Sequence, residues 1–197
     1  LVRDRLADFE AEAVLLSALS NVRWACGFTG SNGLLLVGTE SAVFVTDGRY
    51  TEQAQEEVDG AEVVIAENGL VSRLIALDYF SGLDRILFQA DHVTVARRDQ
   101  LEEHLSQITW VPGAAVLTEL VGTKEQSEVE RIRRAQQITE AVFDHILEVI
   151  EPGMTERDIA AEITYHHLKR GSEKMAFDPI VASGPNGALP HARPTDR

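Results

Sequence analysis

The first 122 residues predict an α/β fold built on a mixed sheet, and three observations carry that expectation. Short apolar runs recur at 13–17, 34–37, 42–46, 62–66 and 85–88, with helical periodicity between several of them, an alternation that packs helices against a sheet. Ser31-Asn32-Gly33 and Gly38-Thr39-Glu40 flank the second run so closely that runs two and three should pair as an antiparallel hairpin, which makes the sheet mixed. Beyond Gly122 the pattern turns helical and the charge changes. Residues 1–122 hold 8 Arg, no Lys and 19 acids, a net −11, whereas residues 123–197 hold 10 basic and 13 acidic residues, a net −3. Two domains are therefore predicted, 1–122 and 123–197.

In the second segment, Thr123 and Gln126 have the spacing of a capping box. Apolar residues then recur at Val129, Ile132, Ala135, Ile138, Val142, Ile146 and Val149, which predicts one helix roughly 40 Å long. Glu151-Pro152-Gly153 ends it. A second helix should start with Thr155 as its cap and Asp158 three residues on, present Ile159, Ile163 and Leu168 inward, and stop at Gly171. Residues 177–181 read as a strand, followed by a Gly/Pro-rich loop over 183–194. A lone strand leaves backbone groups unpaired and a face uncovered, so the sheet begun here is expected to be completed by another chain or by further sequence.

Composition narrows the function. With 44% hydrophobic and 25% charged residues over 197 positions, the chain is expected to fold around a core rather than stay disordered. A formal charge of −14 argues against nucleic-acid binding, which needs a basic surface. No apolar run approaches the ~20 residues that cross a bilayer, so no membrane partner is expected. Cys26 is the single cysteine, which rules out an internal disulfide and a Cys-based zinc site and favours a reducing, cytoplasmic setting.

Few residues stand out as chemistry. There is no phosphate loop, dinucleotide fingerprint or nucleophile elbow. Cys26, among Trp24, Ala25 and Phe28, reads as buried filler. Glu56/Glu57 and Glu102/Glu103 read as solvated pairs on helix faces. Of the six histidines, none pairs with another in a helical metal motif, and one of His166 and His167 should lie against the core because both follow the Ile159/Ile163 stripe. His191 lies in the loop after Pro190, where it is either an ordinary turn residue or a fixed hydrogen-bond donor to a reacting carbonyl. Arg49 and Tyr50 follow Asp47-Gly48 at a strand end. There they either bind a carboxylate or form a local connection with Arg49 paired to an acid such as Glu52.

Longer strings bear on these alternatives. Asn21-Val22-Arg23-Trp24, the string from Gly27-Phe28-Thr29-Gly30 to Ser31-Asn32-Gly33, and Thr46-Asp47-Gly48-Arg49-Tyr50 resemble the N-terminal domain of the creatinase, prolidase and aminopeptidase P family. Gly153-Met154-Thr155-Glu156-Arg157 and the string from Phe177-Asp178-Pro179 through Ser183-Gly184-Pro185-Asn186-Gly187 to Leu189-Pro190-His191-Ala192 resemble the Xaa-Pro peptidase branch of its "pita-bread" catalytic domain. The resemblance implies a creatinase-like N-terminal domain over 1–122 followed by the first, incomplete part of an α+β pita-bread domain over 123–197.

It further implies a cytoplasmic, homodimeric metallopeptidase that cleaves the bond before proline in a peptide, using two divalent cations, manganese, cobalt or zinc. His191 matches the family histidine that hydrogen-bonds substrate and the tetrahedral intermediate, so it is the catalytic candidate. Arg49, Tyr50 and His191 are the substrate-binding candidates, the first two acting across a dimer interface. The family's metal ligands, two Asp, one His and two Glu, fall downstream of the position of His191, so no metal ligand or bound cation is expected in this segment, and the segment alone is expected to be inactive. The alternative is a metal-free pita-bread module of histone-chaperone type, with which the acidic charge is compatible. A creatinase-type hydrolase on the same scaffold is disfavoured by the 183–192 string.

Overall fold

The computed structural model describes residues 1–197, with side chains described for 1–113 and 118–197. The chain divides into two compact units, Leu1–Thr123 and Lys124–Arg197.

The first unit runs α1 (Val2–Leu6), β1 (Ala13–Leu16), α2 (Leu19–Cys26), β2 (Leu34–Gly38), β3 (Ala42–Asp47), a 3-10 turn (Gly48–Tyr50), α3 (Thr51–Glu57), β4 (Glu62–Ala66), α4 (Leu70–Ala76), β5 (Arg85–Phe88), α5 (Val95–His104), β6 (Thr109–Pro112) and α6 (Ala114–Gly122). The strands form one mixed sheet in the order β4-β3-β2-β1-β5-β6. β2 and β3 pair antiparallel, with Leu34 opposite Val45, as do β1 and β2. β3–β4, β1–β5 and β5–β6 are parallel. β6 and α6 are elements that the apolar runs did not reveal: Thr109–Pro112 is short and ends on a proline, which suits an edge strand.

Alternate residues feed two cores. Leu15, Leu36, Val43, Val45, Ile86, Phe88 and Trp110 face one side, against Leu74, Phe80 and Leu101. Val14, Leu16, Leu35, Phe44 and Leu87 face the other, against Leu6, Val22, Cys26 and Phe28. A sheet covered on both faces shows continuous burial along its strands instead of alternation, which is why β1 reads as an unbroken apolar run. Cys26 is buried, and its thiol donates to the Val22 carbonyl at 3.2 Å. Burial raises its pKa above the usual thiol value, so it is packing material and not a poised nucleophile.

The second unit pairs two helices, α7 (Gln126–Val149) and α8 (Glu156–Lys169), followed by a 3-10 turn (Gly184–Ala188). The cap of α8 is as predicted: Thr155 Oγ1 accepts from the Asp158 backbone N–H, and an Asp158 carboxylate oxygen accepts from the Thr155 N–H.

Three expectations need correction here. α7 starts at Gln126, not at Thr123, because Glu125 is its N-cap and exchanges bonds with Glu128. Carboxylates suit the positive end of a helix dipole. Leu168 is 50% exposed: at 100° per residue it lies on the side opposite Ile159, and the inward stripe continues instead to His166. Residues 177–181 form no strand, because no neighbouring strand among the described residues offers a ladder, and Phe177 and Ile180 stay exposed.

Candidate functional site

The loop that carries His191 is organised from one end to the other. Its backbone advances by successive turns: Asn186 N–H donates to the Ser183 carbonyl at 3.0 Å, Leu189 N–H to Asn186 at 2.9 Å, and Ala192 N–H to Leu189 at 3.2 Å. His191 therefore sits inside the last turn. Pro190 beside it has a fixed φ, and Ala192 on its other side is buried, while the imidazole itself is exposed and makes no hydrogen bond to the described residues. An imidazole presented this way is available to an external acceptor. Gly184 permits the entry to the loop, because its φ of +51° is in the left-handed region and a Cβ there would stand 2.6 Å from the Arg197 guanidinium.

A buried carboxylate lies beneath that loop. Glu156 is 2% exposed, the single buried charged side chain among the described residues. Its Oε1 accepts from the Ser183 N–H at 2.6 Å and the Ser183 hydroxyl at 3.0 Å. Its Oε2 accepts from the Thr195 N–H at 2.9 Å and the Thr195 hydroxyl at 2.7 Å. The Asn186 amide spans both oxygens at 3.1 and 3.2 Å. Donation by the Thr195 hydroxyl, then by the Ser183 backbone, holds the carboxyl down to about 2 against partial desolvation. Sequence reasoning missed this residue as a site component. A Glu in the first turn of a helix reads as a partner of the helix dipole, and only the return of residues 183 and 195 to the same point reveals its other role.

In the first unit, the Asp47 carboxylate gathers its surroundings. Arg49 donates to it through its backbone N–H at 3.0 Å, Nε at 2.8 Å and Nη2 at 2.9 Å, and Asn32 Nδ2 donates at 2.5 Å. Arg49 and then Asn32 pull Asp47 well below the usual carboxylate range. Arg49 is thus already paired locally, to Asp47 and not to Glu52, through the edge of the guanidinium that carries Nε and Nη2. The side chain stays exposed and lies 5.3 Å from the Tyr50 ring centroid. The Tyr50 hydroxyl meets Ser31 Oγ at 2.6 Å, and this contact, followed by Arg49, lowers its pKa. Gly30 makes the close approach possible, since a Cβ there would fall 2.2 Å from the Phe28 ring and 2.9 Å from Tyr50.

Glu57 is not simply solvated. It is half-buried and accepts from the Thr29 N–H and hydroxyl, both at 2.7 Å, and from Gln53, because the loop after α2 has no backbone partner for Thr29 and borrows a side chain. Arg49 and Tyr50 lie in one unit and His191 in the other.

The helix pair of the second unit brings together donors that the sequence left apart. Glu162 Oε2 lies 3.5 Å from His145 Nε2 and 3.2 Å from His166 Nε2. Glu162 and His166 are one helical turn apart on α8, and His145 comes from α7. The two imidazoles lie with centroids 3.7 Å apart and planes tilted by 44°, and Arg170 donates to His166 Nδ1 at 2.7 Å. An Nδ1 that accepts leaves the proton on Nε2, where a metal bond would form. The group is therefore a histidine pair sharing one carboxylate, hydrogen-bonded to it through His145 and within ion-pair distance of it through His166. Desolvation, then His145 and Arg170, lower the pKa of His166.

Comparison with known proteins agrees along the whole chain. The family model for the Creatinase/Prolidase N-terminal domain matches residues 1–120, and that for Metallopeptidase family M24 matches residues 130–197. A Bacillus subtilis relative, the uncharacterized peptidase YqhT, is 31% identical over 196 residues, which is 100% of this chain and 56% of that protein. Among solved structures, the Xaa-Pro dipeptidase from Bacillus anthracis superposes with a TM-score of 0.91 at 29% identity, over 100% of this chain and 55% of that one. The X-Pro aminopeptidase from Thermotoga maritima gives 0.89 at 29% identity, over 99% and 56%. The chain spans about half the length of the curated relatives it matches.

A metallopeptidase family implies divalent cations. Among the described residues, the single group of three or more clustered donors is His145, Glu162 and His166. With one carboxylate and a Nδ1 already accepting a bond, it does not fit a pair of ions, which needs bridging oxygen ligands.

Proposed function

We propose that this chain, which belongs to the creatinase/prolidase family, serves in an Xaa-Pro peptidase of aminopeptidase P or prolidase type, where it supplies the substrate-binding imidazole of His191. The observation that carries this reading is His191 itself, an exposed donor on a loop whose two ends are tied to one buried carboxylate. The agreement of both family models with one chain supports it. A ring N–H of His191 donates to the carbonyl oxygen of the scissile bond and follows that oxygen as it becomes an oxyanion. A donor already in place needs no reorganisation at that moment, which is why such groups favour the transition state over the bound substrate. The substrate is a peptide with proline after the bond that is cut. The family's two cations, manganese, cobalt or zinc, would be held by residues outside these 197.

We further propose that a second copy of the chain contributes Arg49 and Tyr50 to substrate binding. The unpaired Nη1 edge of Arg49 meets a peptide carboxylate, while Asp47 fixes the direction of the fork.

The test is hydrolysis of an Xaa-Pro dipeptide and of a longer peptide with proline at its second position. The purified 197-residue chain should cleave neither with manganese, cobalt or zinc added. A longer polypeptide continuing through the M24 domain should cleave at least one of them. His191→Ala in that polypeptide should lower kcat by roughly 10²–10³, and Arg49→Ala should raise KM for short substrates with kcat held. Cleavage by the short chain would overturn the placement of the cations, and an unaffected kcat in His191→Ala would remove the role given to the imidazole.

A further inference from the structure

Glu156 has more hydrogen bonds than a helix cap needs. Thr155 and Asp158 already cap α8, and the first free N–H groups of the helix are taken by residues 195 and 197: Glu156 N–H donates to the Arg197 carbonyl at 2.9 Å and Arg157 N–H to the Thr195 carbonyl at 3.2 Å. An exposed carboxylate would serve the helix dipole equally well. This one is buried instead, and burying a charge is costly unless hydrogen bonds replace its water. Each oxygen here has three donors, and all of them come from residues 183, 186 and 195.

The two ends of the loop differ in what else holds them. Thr195 also reaches α8 through the backbone bond to Arg157, and its neighbour Asp196 pairs with the Arg157 guanidinium. Ser183 and Asn186 are held to α8 by the Glu156 carboxylate. It therefore closes residues 183–195 into a compact loop whose ends meet at one point, and His191 rides on that closure.

We propose that Glu156 is a positioning residue: by tying residues 183, 186 and 195 to the start of α8, its carboxylate sets the His191 imidazole for the substrate carbonyl. The proposal rests on the role given to His191 above. It acts through geometry alone, because Glu156 does not touch substrate in this reading.

The experiment is a double-variant cycle in the metal-loaded longer peptidase, with amide hydrogen exchange on the 197-residue chain. Glu156→Gln keeps the volume but sets an NH2 group against N–H and O–H donors. It should speed exchange of the Ser183 and Thr195 amides while leaving mid-α8 amides such as Ile163 unchanged. It should also lower kcat roughly 10- to 100-fold, the scale of a misplaced reacting group, with KM little changed.

The decisive reading is the pair. If Glu156 acts through His191, the Glu156→Gln/His191→Ala variant should be no slower than His191→Ala alone. Thr195→Val, which removes the hydroxyl's bond to Glu156 together with those it accepts from Asn186 and the Arg197 N–H but keeps the Glu156 carboxylate, should show the same exchange effect in weaker form, and it decides the matter if Glu156→Gln does not fold. Effects that multiply in the double variant, or an unchanged kcat in Glu156→Gln while His191→Ala is impaired, would overturn the proposal and leave the peptidase reading standing. An unimpaired His191→Ala would overturn both.

Discussion

In the first unit, Phe44, Leu16 and Leu87 are fully enclosed between a sheet and the helices on its faces. In the second, Val142 and Ala192 are the buried apolar side chains among the described residues and Glu156 the buried charged one, while Ile132, Phe143, Leu147 and Tyr165 stand exposed. The two regions use different physics. Apolar burial is non-directional and tolerates small rearrangements, so it holds the sheet without specifying any single contact. Six hydrogen bonds from five donor atoms around one carboxylate fix position and direction but depend on charge. A loop that must present a side chain accurately gains from the second kind of hold.

The largest break in this contrast should come from the core. Phe44→Ala removes a ring at 0% exposure whose centroid lies 4.5 Å from that of Phe28, and should cost about 3–5 kcal/mol. Trp24 and Trp110 both lie in the first unit, so tryptophan fluorescence in a urea titration reports on it separately. A loss below about 1 kcal/mol would mean that the site collapses around the gap.

Acid should act on the second unit. The folded pKa of Glu156 is held to about 2, below its ordinary 4.5, so the folded loop binds its proton at lower pH than an open one. The hold is then complete above about 4.5 and is lost as pH falls from there towards about 2. Exchange of the Ser183 amide should follow that window in the native chain, and in Glu156→Gln it should be fast on both sides of it.

A smaller effect is expected nearer neutrality. His166 has its pKa lowered from 6.5. On unfolding it takes up a proton in the interval just below that value, and α7–α8 should lose stability as pH drops through it. Helical circular dichroism under mild denaturant checks this, and His166→Phe should flatten the dependence. The smallest effect belongs to Arg49→Ala, whose exposed ion pair with Asp47 should leave the unfolding midpoint of the first unit where it was. A marked drop would make Arg49 part of the scaffold rather than a contact for substrate.

How far the chain could be read follows from the range of each interaction. The β2–β3 hairpin, the mixed sheet, the buried Cys26 and the Thr155–Asp158 cap were legible because turns, apolar runs and caps are set by neighbours in sequence. The start of α7 was misread by a few residues because Thr123 and Glu125 both offer cap oxygens, and the Glu125–Glu128 exchange prevailed. Residues 177–181 have strand composition, but a strand exists only in a ladder, and composition does not show whether a partner is present.

The sequence by itself determined the mixed α/β order, the helix pair and, through its strings, the family. Only the tertiary structure decided that Asp47 takes up Arg49, that His145 and His166 meet over Glu162, and that Glu156 collects Ser183, Asn186 and Thr195. The physical reason is distance along the chain. A carboxylate buried at the start of one helix is stable only if donors 27 to 39 residues away return to it, and no local pattern encodes that return.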